Sequence, residues 1–142
     1  MRRGPGWRAA LLILALLLGP AIGGPAVGAS AARAIDWARA RRVTVVEVEY
    51  LFLPSHLVFR RGVAYRLHVV NRGREIHELT ASVFFKTVLL HNPAALDPDH
   101  SQLVVDPGAQ KDLYFIPERT GRYDMRCADH DWAGMTGEIT VK

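Results

Sequence analysis

The chain has 142 residues, 18 Lys and Arg against 14 Asp and Glu, and a single cysteine. That length holds one ordinary domain. Three of the basic residues (Arg2, Arg3, Arg8) stand in the first ten positions, so the rest of the chain balances at 15 against 14, or +1. No run of Lys and Arg interleaved with aromatics remains to follow a phosphate backbone, which excludes nucleic acid as a partner.

Residues 1–31 read as a secretory signal: a basic start, an apolar run over residues 9–19, then small residues ending in Ala29-Ser30-Ala31. The apolar run is shorter than the roughly 20 residues a membrane helix needs, so no span is expected in the mature form. An uncleaved N-terminal anchor is the alternative. The expected location is periplasmic or otherwise exported. Residues 32–42 read as a tail, and residues 43–142 as the folded domain.

From residue 43 the pattern has period two. Thr44, Val46, Val48 and Tyr50 share one face and Glu47 and Glu49 the other, as in a half-buried strand. Residues 51–57 contain Pro54 and predict a bend. In residues 63–71, Tyr65, Leu67 and Val69 alternate with Arg66 and His68, which places His68 towards water. Asn71-Arg72-Gly73 is a turn signal, and residues 76–82 are the next strand. Residues 83–101 are the least regular part and read as an inserted loop or short helix. Strands over 103–105, 111–116, 122–127 and 137–141 follow, punctuated by Asp106-Pro107-Gly108, Pro117 and Thr120-Gly121. Seven or eight short strands and no helical period predict an all-β, antiparallel Greek-key sandwich or barrel.

The chemistry concentrates in one loop between two strands. Cys127 is followed by His130 three residues later and Met135 five after that. Exported proteins meet an oxidising compartment where cysteines pair, so a lone thiol there calls for a protecting role. Thiolate and thioether are soft donors that suit copper(I), and imidazole also suits copper(II). Two histidines and a cysteine with a long axial methionine form the blue-copper set. The second histidine has to come from elsewhere, and His77 is the best candidate. It opens a strand after a turn, whereas His56 lies in a bend, His68 mid-strand, and His91 and His100 in the irregular segment. His91, Asp97, Asp99 and His100 read better as a solvated polar loop than as a second metal site. A thiol hydrolase draws its histidine from a distant segment, a binuclear copper centre needs two cysteines, and thioether suits zinc poorly.

Tyr123, Cys127, His130, Gly134-Met135 and the Gly137-to-Val141 strand resemble the C-terminal signature of the cupredoxins, the plastocyanin, pseudoazurin and azurin group. The Asn71-to-His77 segment and the Asp106-Pro107-Gly108 turn stand in the corresponding order. The resemblance spans roughly residues 43–142 and implies a Greek-key fold, one type 1 copper ion held by His77, Cys127, His130 and Met135, and one-electron transfer rather than enzymatic turnover. It also implies redox partner proteins, a monomer, and an electron path through His130 with Ala128, Trp132 and Ala133 as a docking rim. The chain departs from plastocyanin-like members at Glu78, where Asn commonly follows the first histidine. That residue and the 83–101 insertion resemble longer periplasmic relatives, some of which handle copper itself, so copper binding or delivery is the alternative function.

Overall fold

The computed structural model describes residues 34–142; the signal assigned to residues 1–31 lies outside them. A 3-10 turn at Trp37–Arg39, capped by the Asp36 carboxylate on the Ala38 N–H, leads into the first strand. The proposed tail is therefore partly structured: Trp37 stacks on His91 with ring centroids 4.5 Å apart.

Ten strands follow: β1 Arg41–Val48, β2 Leu51–Leu53, β3 His56–Phe59, β4 Tyr65–Asn71, β5 His77–Thr80, β6 Val88–Leu90, β7 Gln102–Val105, β8 Gln110–Pro117, β9 Gly121–Arg126 and β10 Thr136–Val141. They form two five-stranded sheets, ordered β2-β1-β4-β8-β6 and β3-β10-β9-β5-β7. The chain changes sheet at Pro54, between β2 and β3, because a proline cannot donate to a ladder and the strand has to break there. The predicted all-β sandwich is present. Its strands are more numerous than expected, and two pairs, β1 with β4 and β3 with β10, are parallel rather than antiparallel. Parallel neighbours cannot be joined by a hairpin, so these pairs tie together segments distant in sequence.

The core lies between the sheets and is led by aromatic rings. Phe59, Phe84 and Phe115 meet at centroid distances of 5.2–5.8 Å, within the range of favourable ring contacts. Leu67, Leu79, Leu103, Leu113 and Ile139 fill the remaining layers with no exposed surface. Phe84 comes from the segment read as an insertion. Residues 83–101 hold most of a four-residue helix, Ser82–Phe85 (α1), and also a strand, β6, that edges the first sheet against β8. Tyr123 closes a tyrosine corner, its hydroxyl donating to the Arg119 carbonyl at 3.0 Å.

One inside–outside assignment inverts the expected pattern, and one residue expected to face water is covered on its own face. In β1 the face turned inward carries Val45 and Glu47, and Glu47 has no exposed surface. His68 is only 5% exposed and is bonded through Nδ1 to Asp112 Oδ1 at 2.8 Å, while the same carboxylate holds Arg66 with two further bonds. His68 keeps the face it shares with Arg66, opposite the core-facing Tyr65, Leu67 and Val69, and is covered there with Asp112, its ladder neighbour on β8, as its partner. Among the described residues, no helix is long and apolar enough to cross a membrane.

Candidate metal centre

His77, at the first position of β5, and Cys127, directly after β9, lie side by side because β5 and β9 are neighbours in the second sheet. The turn from Asn71 delivers His77 there. Asn71 Oδ1 accepts from the Gly73 N–H at 2.8 Å, and its amide donates to the carbonyls of Glu75 and Val105 at 2.8 Å each. A Cβ at Gly73 would lie 2.9 Å from His77 Nε2 and closer still to the Glu49 carboxylate, so only glycine fits between them.

The Cys127 loop is held by its own backbone. The Cys127 N–H donates to the Met135 carbonyl at 3.0 Å, and the His130 N–H donates back to the Cys127 carbonyl at 3.3 Å. A 3-10 turn, Asp131–Ala133, ends at Gly134 with φ of 84°, the left-handed cap that glycine adopts without strain. The loop thus doubles back and returns Met135, fully buried, next to Cys127 in the backbone ladder.

The result is one buried cluster. Among the described residues, one group of three or more His, Cys, Asp or Glu side chains has metal-binding spacing, and it is His77, Cys127 and His130, with donor atoms all within 4.8 Å of one another. Cys127 Sγ lies 3.9 Å from His77 Nδ1 and 3.2 Å from His130 Nδ1. Metal–nitrogen bonds of about 2.0 Å and metal–sulfur bonds of about 2.3 Å, opened by a tetrahedral to trigonal angle, place N and S about 3.5–3.7 Å apart. The two observed separations bracket that range. The donor set fits a small thiophilic cation, and both imidazoles present the same nitrogen to it. His56, His91 and His100 stand outside this group; His91 serves the Trp37 stack instead.

Electrostatics favour a metal over a free nucleophile. Burial, and then the hydrogen bond to Glu78, push the Cys127 thiol up to about 11. A catalytic thiolate needs the opposite shift, whereas a bound cation displaces the proton outright. His77 is held below its ordinary value, first by burial and then by the nearby His130, so it stays neutral with a lone pair free. Its Nε2 has no hydrogen-bond partner.

Glu78 forms the surroundings of the sulfur. Its N–H donates to Sγ at 3.4 Å, its Oε2 accepts from the thiol at 3.0 Å, and the same oxygen accepts from the Asp129 N–H at 3.3 Å. The carboxylate therefore fastens the ligand loop to β5, yet it lies outside the donor cluster. Sequence reading singled out Glu78 but not Glu49 or Glu75, which also approach the centre. His130 Nε2 is 2.7 Å from Glu75 Oε2, and His77 Nε2 is 3.7 Å from Glu49 Oε1. Neither glutamate lies within a recognisable motif, so only the folded chain reveals them. Trp132 is 76% exposed beside the loop, its indole nitrogen donating to the Asp129 carbonyl at 2.9 Å. The Tyr50 ring lies between it and His130, with centroids 5.8 and 5.0 Å away.

Among solved structures, auracyanin B shares the architecture with a TM-score of 0.54 at 20% identity, over 72% of this chain and 89% of that one. Auracyanin from Roseiflexus castenholzii aligns with a TM-score of 0.54 at 15% identity, over 72% of this chain and 98% of that one. The chain has the cupredoxin fold. The periplasmic domain of subunit II of cytochrome oxidase from Bradyrhizobium japonicum shares this cupredoxin-like architecture at a TM-score of 0.52 and 14% identity, over 72% of this chain and 83% of that one. No sequence-family model matches the chain, and no characterised protein matches it by sequence.

Proposed function

We propose that the chain is an exported type 1 copper protein that carries one electron at a time, with His77, Cys127, His130 and Met135 as ligands. The observation that carries this reading is the convergence of one thiol and two imidazole Nδ1 atoms in a buried cluster of a cupredoxin fold. Copper bound there would supply the redox couple, since soft sulfur and borderline nitrogen donors accommodate both of its oxidation states.

The chain's own residues do the rest. β5 and the loop after β9 hold the donors at fixed separation, which keeps the rearrangement between oxidation states small. Complete burial of Cys127, His77 and Met135 excludes water from the sulfur. The Glu78 N–H donates to Sγ and moderates its charge. His130 is the ligand with some exposure, 12% of its side chain, and the exposed Trp132 beside it makes this the end at which a redox partner docks. Export rests on the signal-like residues 1–31 and agrees with the periplasmic setting of the Bradyrhizobium domain.

The test is to load metal-free protein with copper(II) and record its visible spectrum beside that of Cys127→Ser. An intense thiolate-to-copper band, absent from the variant, and reversible one-electron cycling without copper loss support the carrier. If copper passes to a metal-free acceptor faster than the centre cycles, the protein delivers copper instead. A full-strength band in Cys127→Ser refutes the ligand assignment.

A further inference from the structure

Because both imidazoles turn Nδ1 towards Cys127 Sγ, their Nε2 atoms lie on the side of each ring away from the sulfur, where His130 Nε2 meets a carboxylate and the buried His77 Nε2 has one nearby, beyond hydrogen-bond distance. Glu75 Oε2 lies 2.7 Å from His130 Nε2, and Glu49 Oε1 lies 3.7 Å from His77 Nε2. The two glutamates are linked. Glu49, in the turn after β1, accepts the backbone N–H groups of Arg74 and of Glu75, the latter at 3.0 Å. Those bonds, with the Asn71 amide on the Glu75 carbonyl, shape the loop that presents Glu75. The Tyr50 hydroxyl donates to the other Glu75 oxygen at 3.5 Å. Among the described residues, no lysine or arginine is paired with either carboxylate. The backbone N–H of Arg74, the largest influence, holds the Glu49 carboxyl below its usual range, so its charge is present at neutral pH.

We propose that Glu75 is a positioning residue of the metal centre: it holds His130 as the Nε2–H tautomer, leaving the Nδ1 lone pair for the metal, and with Glu49 it biases the centre towards the more highly charged oxidation state. A neutral imidazole carries one ring proton, and an ionised carboxylate can only accept. With Glu75 at hydrogen-bond distance, the proton resides on Nε2. Such a partner fixes ring orientation and raises the basicity of the ligating nitrogen. Two uncompensated negative charges also attract a doubly charged ion more than a singly charged one. The tautomer claim concerns the metal-free protein, and the charge claim alone rests on the copper reading.

Long-range proton–nitrogen NMR of the metal-free protein reads the His130 tautomer directly, and its amide dispersion reports folding. The wild type is expected to show Nε2–H. Glu75→Leu should shift His130 towards a mixture with Nδ1–H, while Glu75→Gln, whose side-chain oxygen still accepts, should restore Nε2–H. After copper loading, Glu75→Leu should bind copper(II) about 10–100-fold more weakly. Both variants should have a raised midpoint potential with the thiolate band retained, and the rise should shrink as salt screens the half-exposed Glu75. An Nδ1–H tautomer in the wild type, or a tautomer and potential unmoved in Glu75→Leu, would overturn the proposal. Expected tautomers in a protein that never shows the thiolate band would support the positioning role and overturn the copper reading.

Discussion

Glu47 offers the strongest single test of the folded architecture. Its side chain has no exposed surface and neither carboxyl oxygen has a hydrogen-bond partner. Burial, and then the charge of Glu78, push its pKa from 4.5 up to about 8. The folded chain therefore keeps this proton until about pH 8, whereas the unfolded chain releases it near 4.5. Between those limits the folded state binds more protons, so stability falls as pH rises. At 1.36 kcal/mol per unit the full swing is roughly 4–5 kcal/mol, a large part of a small domain's stability. Glu47→Gln keeps the shape and cannot ionise. Urea unfolding of metal-free wild type and variant across this window gives the difference between them. That difference cancels His77, whose lowered pKa acts in the opposite direction and removes stability as pH drops below 6.5. The wild type is expected to lose most of those kilocalories relative to Glu47→Gln as pH rises. Parallel profiles would refute the reasoning, because they would mean that the carboxylate is solvated or paired within the fold.

Three further outcomes follow from the packing and the site. Glu78→Gln removes the second-largest influence on the Cys127 thiol while leaving its burial intact, so the alkylation profile of metal-free protein should move below about pH 11; an unmoved midpoint would show that Glu78 has no hold on the sulfur. Phe115→Ala empties the centre of the ring cluster formed with Phe59 and Phe84 and should cost about 3–5 kcal/mol in urea unfolding with an unchanged slope. A cost below 1 kcal/mol would mean that the core collapses around the gap. Copper at a hundredfold excess over its dissociation constant should stabilise the wild type by about 2.7 kcal/mol, and much less in Cys127→Ser at the same concentration; equal gains would place the metal elsewhere.

The strand pattern was legible because period-two alternation survives in β8 and β10, where one face is plainly apolar. In β1 both faces carry valines, Val43 and Val45 on one and Val46 and Val48 on the other. Local hydrophobicity cannot choose between them, and contact with the opposite sheet turned the Glu47 face inward. His68 kept its expected face, and its burial there was not legible because its partner Asp112 comes from a strand 44 residues away. β6 was missed because a three-residue edge strand is too short for any period to show. Glu49 and Glu75 were missed because a carboxylate backing a histidine leaves no signature in spacing.

What the sequence alone determined is the chemistry of the centre: a lone thiol, an imidazole and a thioether spaced along one loop between strands, in a β-rich chain. Donor types and short spacings are local properties, readable wherever the loop ends up. The tertiary structure decided which remote histidine meets that loop, which glutamates stand behind the imidazoles, and how a carboxylate came to be buried without a partner. Those depend on which strands become neighbours, and neighbours are chosen by the packing of the two sheets as a whole.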